Sequence, residues 1–586
     1  MNTRRNRLLR VLGIIALGMI VIYGVLAINI YSSVGRFPTN GKRPAPNIKE
    51  LIWPTIGYPE IVTPGLPLLA EVVAPGDRGA GGEFTATLKP ARSELSGLSY
   101  SLKAEAVSKG RSKRWPEGTR FGQHGNVWRV RFTVPRQTVP ELYDLSIEAV
   151  IDGRRIEDTQ RHAVSVRPAA ADKDFTFVSL ADVHVHRRNI AGFRVPQTDK
   201  GIAADGTPVF FERVIDQVNL IRPDFAVILG DNIRAQHAPG DYQVEFRQFY
   251  KALSRFQVPV FIIPGNHDTY FNEVDGARVF EENIGPLHYS FDIGDAHFTA
   301  VNTTQWPATD RMMMEKFGLI PGPRKWQGQV LGATDERNPK TYTSQLAWLR
   351  DDLAGHLRSR NRFVLMHHDP FRPGGKPSAW KDERFGALFA LGGGGKGSVA
   401  LRVLMAKHCV DYVLTGHEHS DYIGRAKWED GKGATAYVNQ TMVTYDMRGI
   451  KDSYPGYRVW SVKDDKVGGF TYLDSFHSVP LYDGSALNGG NDSEKLDRHA
   501  MSVAARGDGF SLSSVLGIPM EVRGLAGVFP AQEGYEVQNG EVYEVVPLPG
   551  DPTRALVYVK TEIAAGVPGS DETTPGTPAK LDVWIR

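Results

Sequence analysis

The sequence predicts a mixed α/β protein of several domains, and three observations carry that expectation. A central stretch alternates apolar strand-like runs with helical periodicity. Stretches of short, partly alternating runs broken by turn dipeptides lie on either side of it. Near the N-terminus stands one long apolar run without a charge. At 586 residues the chain is too long for a single hydrophobic core. With 41% hydrophobic and 23% charged residues, most of it reads as globular.

The first element is the apolar run from Val11 to Ile28, preceded by Arg4, Arg5, Arg7 and Arg10. About 20 apolar residues span a bilayer as a helix, and clustered arginines stay on the cytoplasmic side. Residues 1–32 are therefore expected to be a cytoplasmic tip and a single-pass signal anchor, with the rest of the chain at the cell membrane on its extracytoplasmic face. The competing reading is a signal peptide cleaved at Ala27. The length of the run, and Val25-Leu26 where small residues are wanted, count against it. Residues 33–50, rich in Pro, Gly and basic side chains, read as a linker.

Residues 51–168 read as an all-β, immunoglobulin-like sandwich. Runs beginning at Leu68, Glu83, Val127 and Tyr143 alternate in part, and Pro75-Gly76 and Asp152-Gly153 supply turns. No chemistry is recognisable there, and a spacer or docking module is the default expectation. Residues 174–475 form the α/β stretch. Phe211, Val214, Ile215 and Val218 recur at helical spacing, and a second helix is expected from Ser344 to Leu357. Residues 500–586 read as a small β-rich domain, with strands at 537–548 and 555–561 and a flexible loop at 568–578.

Composition excludes some functions. Cys409 is the only cysteine, so neither an intramolecular disulfide nor a multi-cysteine zinc site is possible, and it reads as a packed core thiol. The net charge of +3 from 69 basic and 66 acidic residues, without a basic stripe, argues against binding nucleic acid through its backbone.

Five short motifs follow apolar runs in the central stretch: Asp182-Val183-His184, Gly230-Asp231-Asn232, Gly265-Asn266-His267-Asp268, His367-His368 and Gly416-His417-Glu418-His419. In α/β sheets the loops at strand C-termini converge on one crevice. Carboxylates and imidazoles buried at such ends are costly unless paired or metal-bound. Any one of these histidines is more often a surface or satisfied core residue; five motifs at successive strand ends are not.

The set, in this order, resembles the calcineurin-like metallophosphoesterases, with further likeness in the hairpin at Tyr289–Phe298 and the helix at Gln345–Leu349. The resemblance implies a β-sandwich flanked by helices and two divalent metal ions, with Zn, Mn or Fe all compatible with nitrogen and oxygen ligands. By position, Asp182, His184 and His419 would hold one ion and Asn266, His367 and His417 the other, with Asp231 bridging. A hydroxide between ions about 3.5–4 Å apart would attack phosphorus in a phosphomonoester or phosphodiester. His267 would serve the leaving oxygen. Asp268 would orient that imidazole or cap a loop. Arg234 stands where protein phosphatases of this type continue Asp-Arg and purple acid phosphatases place tyrosine; a solvated loop residue or a phosphate contact is expected. His368 and His186 are expected beside the ligands, not among them. The Gly392–Gly397 run fails the P-loop pattern and reads as an insertion or lid. Two other functions remain open: an envelope scaffold with a structural metal, and a nuclease.

Overall fold

The structure is a computed structural model, and it describes residues 13–19, 21, 44–74, 82–167, 174–185, 209–234, 241–269, 275–304, 344–370, 397–444, 453–468, 476–484, 498–570 and 574–586. The expected membrane anchor falls largely outside these; among the described residues no helix is long and apolar enough to cross a membrane. His186, residues 306–326 and Gly392–Lys396 also lie outside them.

The central stretch is a four-layer sandwich. Strands β1 (Phe175–Leu180), β2 (Phe225–Leu229) and β3 (Val260–Ile263) run parallel. A second sheet contains β4 (Tyr289–Ile293), β5 (Ala296–Val301), β6 (Asn361–Met366), β7 (Tyr412–Thr415), β8 (Tyr422–Lys427) and β9 (Ala434–Asn439), in the order β4-β5-β6-β7-β9-β8. Strand β10 (Gly456–Lys463) returns to the first sheet and pairs antiparallel with β1; β11 (Lys466–Gly468) follows it at the edge.

These strands read as continuous apolar runs because both faces are covered. Inward, Phe177, Phe225, Phe261, Phe291, Phe298, Phe363 and Trp460 interlock between the sheets. Phe177 stacks on Phe225 and on Trp460, with centroids 5.0 and 5.5 Å away. Outward, Leu180, Ala226, Ile228 and Ile262 face α1 (Val209–Ile221), α2 (Asp241–Leu253) and α3 (Gly276–Asn283). On the other sheet Val364, Met366 and Val413 face α4 (Ser344–Gly355) and α5 (Gly397–Lys407). The expected helices at Phe211 and Ser344 are α1 and α4.

The four runs read as strands in residues 51–168 are strands, within an eight-stranded arrangement around its own core. This region is more than a spacer. Trp53 and Tyr58 belong to the core between the two central sheets, Tyr58 stacks on Tyr289 at 4.2 Å, and Ile262 N donates to Gly57 O at 2.9 Å. The expected linker is shorter than residues 33–50, since Ile48 is fully buried and its N–H bonds Glu282 O at the end of α3.

The C-terminal strands form sheets of four and three strands, as expected for a β-rich segment. Their apolar face is packed with α1: Met501, Leu512, Val522 and Val559 share one core with Val214 and Val218. Gly524 permits the close approach, because a Cβ there would meet Asn219 O at 1.7 Å. Arg222 at the end of α1 ties all three regions, pairing with Glu544 at 3.2 Å and Glu141 at 3.4 Å. The stretch expected as a flexible loop is tethered where described, with Gly569 N bonding Asp483 at 2.7 Å. Cys409 is not a core thiol: it is half-buried with φ +51°, ending the turn after α5.

Candidate metal centre

All five motifs sit at the C-terminal ends of β1, β2, β3, β6 and β7, where the two sheets open toward each other. The loops after β1, β2 and β7 turn sharply on leaving their strands. Asp182, His184, Asp231, His417 and His419 all have positive φ, between 47° and 69°. Non-glycine residues rarely adopt this conformation, and it persists only where the surroundings over-determine it. The motif glycines let the loops touch: a Cβ on Gly265 would meet Asp231 Oδ1 at 2.2 Å, and one on Gly416 would meet Asp182 Oδ2 at 2.5 Å.

The seven expected ligands converge. Asp182 Oδ1 lies 3.2 Å from His419 Nε2 and 3.8 Å from His184 Nε2, and those two nitrogens are 3.2 Å apart. In a second group His367 Nε2 lies 3.0 Å from Asn266 Oδ1 and 3.3 Å from His417 Nδ1. Asp231 Oδ2 stands between the groups, 3.7 Å from His184 Nε2 and 3.3 Å from His367 Nε2. The other carboxylate oxygens secure the loops: Asp182 Oδ2 accepts from His417 N and Asp231 Oδ1 from His267 N, both at 2.8 Å.

The donor set fits divalent cations. His367 Nδ1 donates to Leu229 O at 2.8 Å, which turns its Nε2 toward the amide oxygen of Asn266, 3.0 Å away. Asp182 Oδ1 is buried with no hydrogen-bond partner. Burial, then the His267 ring, holds His184 well below the ordinary histidine range; burial, then His368 and His367, does the same for His417. Neutral imidazole is the form that binds metal. Against burial, the Asp231 and Asp182 carboxylates raise His367 to about 9, and burial of Asp231 is outweighed by His367 and His267, which hold it well below the carboxylate range. Two buried carboxylates therefore stand in a cluster that is short of positive charge.

His267 lies at the rim of the cluster. Its Nδ1 pairs with Arg234 O at 2.9 Å and its Nε2 is 3.9 Å from Asp231 Oδ2. The ring is therefore oriented by a backbone carbonyl, a partner that no residue type announces. Asp268 does not orient that ring. It accepts from Gly265 N, Asn232 N, Asn232 Nδ2 and Ile233 N, strapping the β3 loop to the β2 loop. Burial, then Asp231, raises Asp268 to about 7. His368 is fully buried, with Nδ1 2.8 Å from Thr303 Oγ1 and its ring 4.2 Å from that of His417. Arg234 is half-buried, less solvated than its loop position suggested.

Residues 175–421 match the family model described as calcineurin-like phosphoesterase. This part of the chain belongs to that family. The calcineurin-like phosphoesterase domain is a metal-dependent hydrolase of phosphoester bonds that works with two divalent ions. Among curated proteins none matches the chain. Among solved structures, a cold-active protein tyrosine phosphatase aligns at 11% identity over 56% of this chain and 93% of that one, with a TM-score of 0.19. A cold-active protein-tyrosine phosphatase of a psychrophilic Shewanella species aligns at 11% identity over 55% and 92%, with a TM-score of 0.18. At those TM-scores neither alignment bears on the fold of the phosphoesterase domain.

Proposed function

We propose that the protein hydrolyses a phosphomonoester or phosphodiester outside the cytoplasm, tethered to the membrane by its N-terminal apolar run. The observation that carries the chemistry is Asp231 Oδ2, which stands between two groups of nitrogen and oxygen donors. In this reading Asp182, His184 and His419 would hold one cation and Asn266, His367 and His417 the other, with the Asp231 carboxylate facing both donor groups. Two divalent ions there would supply Lewis acidity toward the phosphoryl oxygens and a water ionised near neutral pH as nucleophile. The protein contributes preorganisation: positive-φ loops, glycine contacts and the Asp268 strap hold the donors before substrate arrives.

His267 then serves the leaving-group oxygen. Its Nδ1 is committed to the Arg234 carbonyl, which leaves Nε2 as the atom that can face substrate. The location reading rests on Arg4, Arg5, Arg7 and Arg10 before the uncharged run. An immunoglobulin-like assignment for the N-terminal sandwich is supported by Tyr143, whose hydroxyl donates at 2.6 Å to Val139 O four residues upstream, as in a tyrosine corner.

The test is a panel of aryl phosphomonoesters and phosphodiesters, given to the purified chain with Zn²⁺, Mn²⁺ or Fe²⁺. Turnover that Asp231→Asn lowers at least about a thousandfold supports the proposal. Turnover unaffected by that substitution, or no turnover with any metal, refutes it.

A further inference from the structure

The loop that carries His417 and His419 is held in a strained conformation, and the groups that anchor it lie at and beyond the end of the region that matches the family model. Both histidines have positive φ, 69° and 57°. Such a loop relaxes unless held at both ends. At its stem, Asn439 does this twice: its Oδ1 accepts from Thr415 Oγ1 at 2.9 Å, and its Nδ2 donates to Ser420 O at 2.6 Å. Beyond Ser420 comes Asp421, where the matched region stops.

Asp421 is almost wholly buried, and its two oxygens collect donors from three separate segments. Oδ1 accepts from Thr441 N at 3.0 Å, Ser478 Oγ at 2.7 Å and Arg458 Nη2 at 3.0 Å. Oδ2 accepts from Ser478 N at 2.8 Å and lies against the Tyr454 hydroxyl, which also reaches Ser478 O. Arg458, fully buried on β10, also donates to Phe476 O. Every one of these partners lies between residues 441 and 478, past the matched region.

A fully buried ion pair adds little stability over an apolar pair of the same volume, so its use lies in fixing one arrangement. Here it fixes Asp421, two residues from His419, against β10; β10 pairs with β1, the strand that leads into Asp182, with Arg458 opposite Ser179. The same strand thus sets the position of Asp182 from one side and of His419 from the other.

We propose that Asp421 is a positioning residue for the metal centre, acting through Arg458, Tyr454 and Ser478 to hold His417 and His419 at ligating distance. The proposal rests on the two-cation reading above. Because His417 belongs to one donor group and His419 to the other, loosening this anchor weakens both ions together.

The experiment uses the full chain in detergent, stripped by chelator and titrated with Mn²⁺ by calorimetry. The variants are Asp421→Asn, Arg458→Lys and Tyr454→Phe, with Val546→Ala in the distant C-terminal core as a control for lost stability. The expected result is a fall in both Mn²⁺ affinities of about ten- to a hundredfold for Asp421→Asn, the range for lost outer partners of a metal site. Smaller falls follow for Arg458→Lys and Tyr454→Phe, while Val546→Ala keeps wild-type affinities despite a lower melting temperature. If Asp421→Asn does not fold, Tyr454→Phe, which removes a single hydroxyl, decides. A wild type that binds two Mn²⁺ while the folded variants bind them as tightly overturns this proposal alone. A wild type that binds none overturns the functional reading and this proposal with it.

Discussion

His297, remote from the metal cluster, should make the stability of the catalytic sandwich depend on alkaline pH. It lies on β5, 1% exposed, with Nδ1 2.7 Å from Asp292 Oδ1 and Nε2 3.0 Å from Asp352 Oδ2 on α4. The His356 ring stacks on it at 3.6 Å, and Ser290 and Thr299 hydroxyls also donate to Asp352. Burial opposes charge on this ring, yet the bonds to Asp292 and Asp352 raise it from 6.5 to about 9. At about 1.4 kcal/mol per unit, a rise of that size amounts to roughly 3.5 kcal/mol. The Asp292 side chain is 59% exposed and water screens its share, so the expected value is about 2 kcal/mol. A folded-state value above the unfolded one stabilises fully below pH 6.5 and is lost as pH rises through about 9. Urea midpoints of wild type and His297→Gln should therefore differ most near pH 6 and converge by pH 10. A gap that stays constant or widens across that range would contradict this linkage.

Other consequences follow from the same geometry. Asp268→Ala removes the strap between two loops and leaves buried N–H groups unpaired, so it should lower melting temperature and metal content together, at a cost of about 2–4 kcal/mol. His267→Asn should instead lower kcat by about a hundredfold or more with both metals retained, as metal analysis of the purified variant would show. Gly416→Ala places a methyl 2.5 Å from Asp182 Oδ2 and should cut metal affinity at least tenfold in a calorimetric titration. Chelation should abolish hydrolysis and lower melting temperature, with both restored by added metal, since ligands that bind only the folded state stabilise it.

What was legible in the sequence is what local pattern encodes. Phe225-Ala-Val-Ile-Leu announces a strand buried on both faces, and the polar motif after it marks the strand's end; repeated five times, this points to one crevice. Resemblance then supplied the ligand roles. Asp268 was only half legible: the sequence left it either orienting His267 or capping a loop, and only the structure turns this carboxylate toward the loop N–H groups of Gly265, Asn232 and Ile233. Nor could Cys409 be placed, since an apolar neighbourhood in sequence did not reveal a helix-ending turn. Arg458 did leave a signal, a charge inside the run Tyr457-Arg-Val-Trp460, though its partner Asp421 is 37 residues away.

Local pattern was enough to put every ligand type at a strand end, because hydrophobic periodicity and motif order are properties of neighbouring residues. That three regions act as one body emerges only when the chain is folded. The Thr55–Tyr58 turn enters the catalytic core, the C-terminal strands cover α1, and residues 441–478 brace the His417–His419 loop. Those contacts depend on the shapes and charges of faces that meet only after folding. No periodicity along the chain records which face a strand will find.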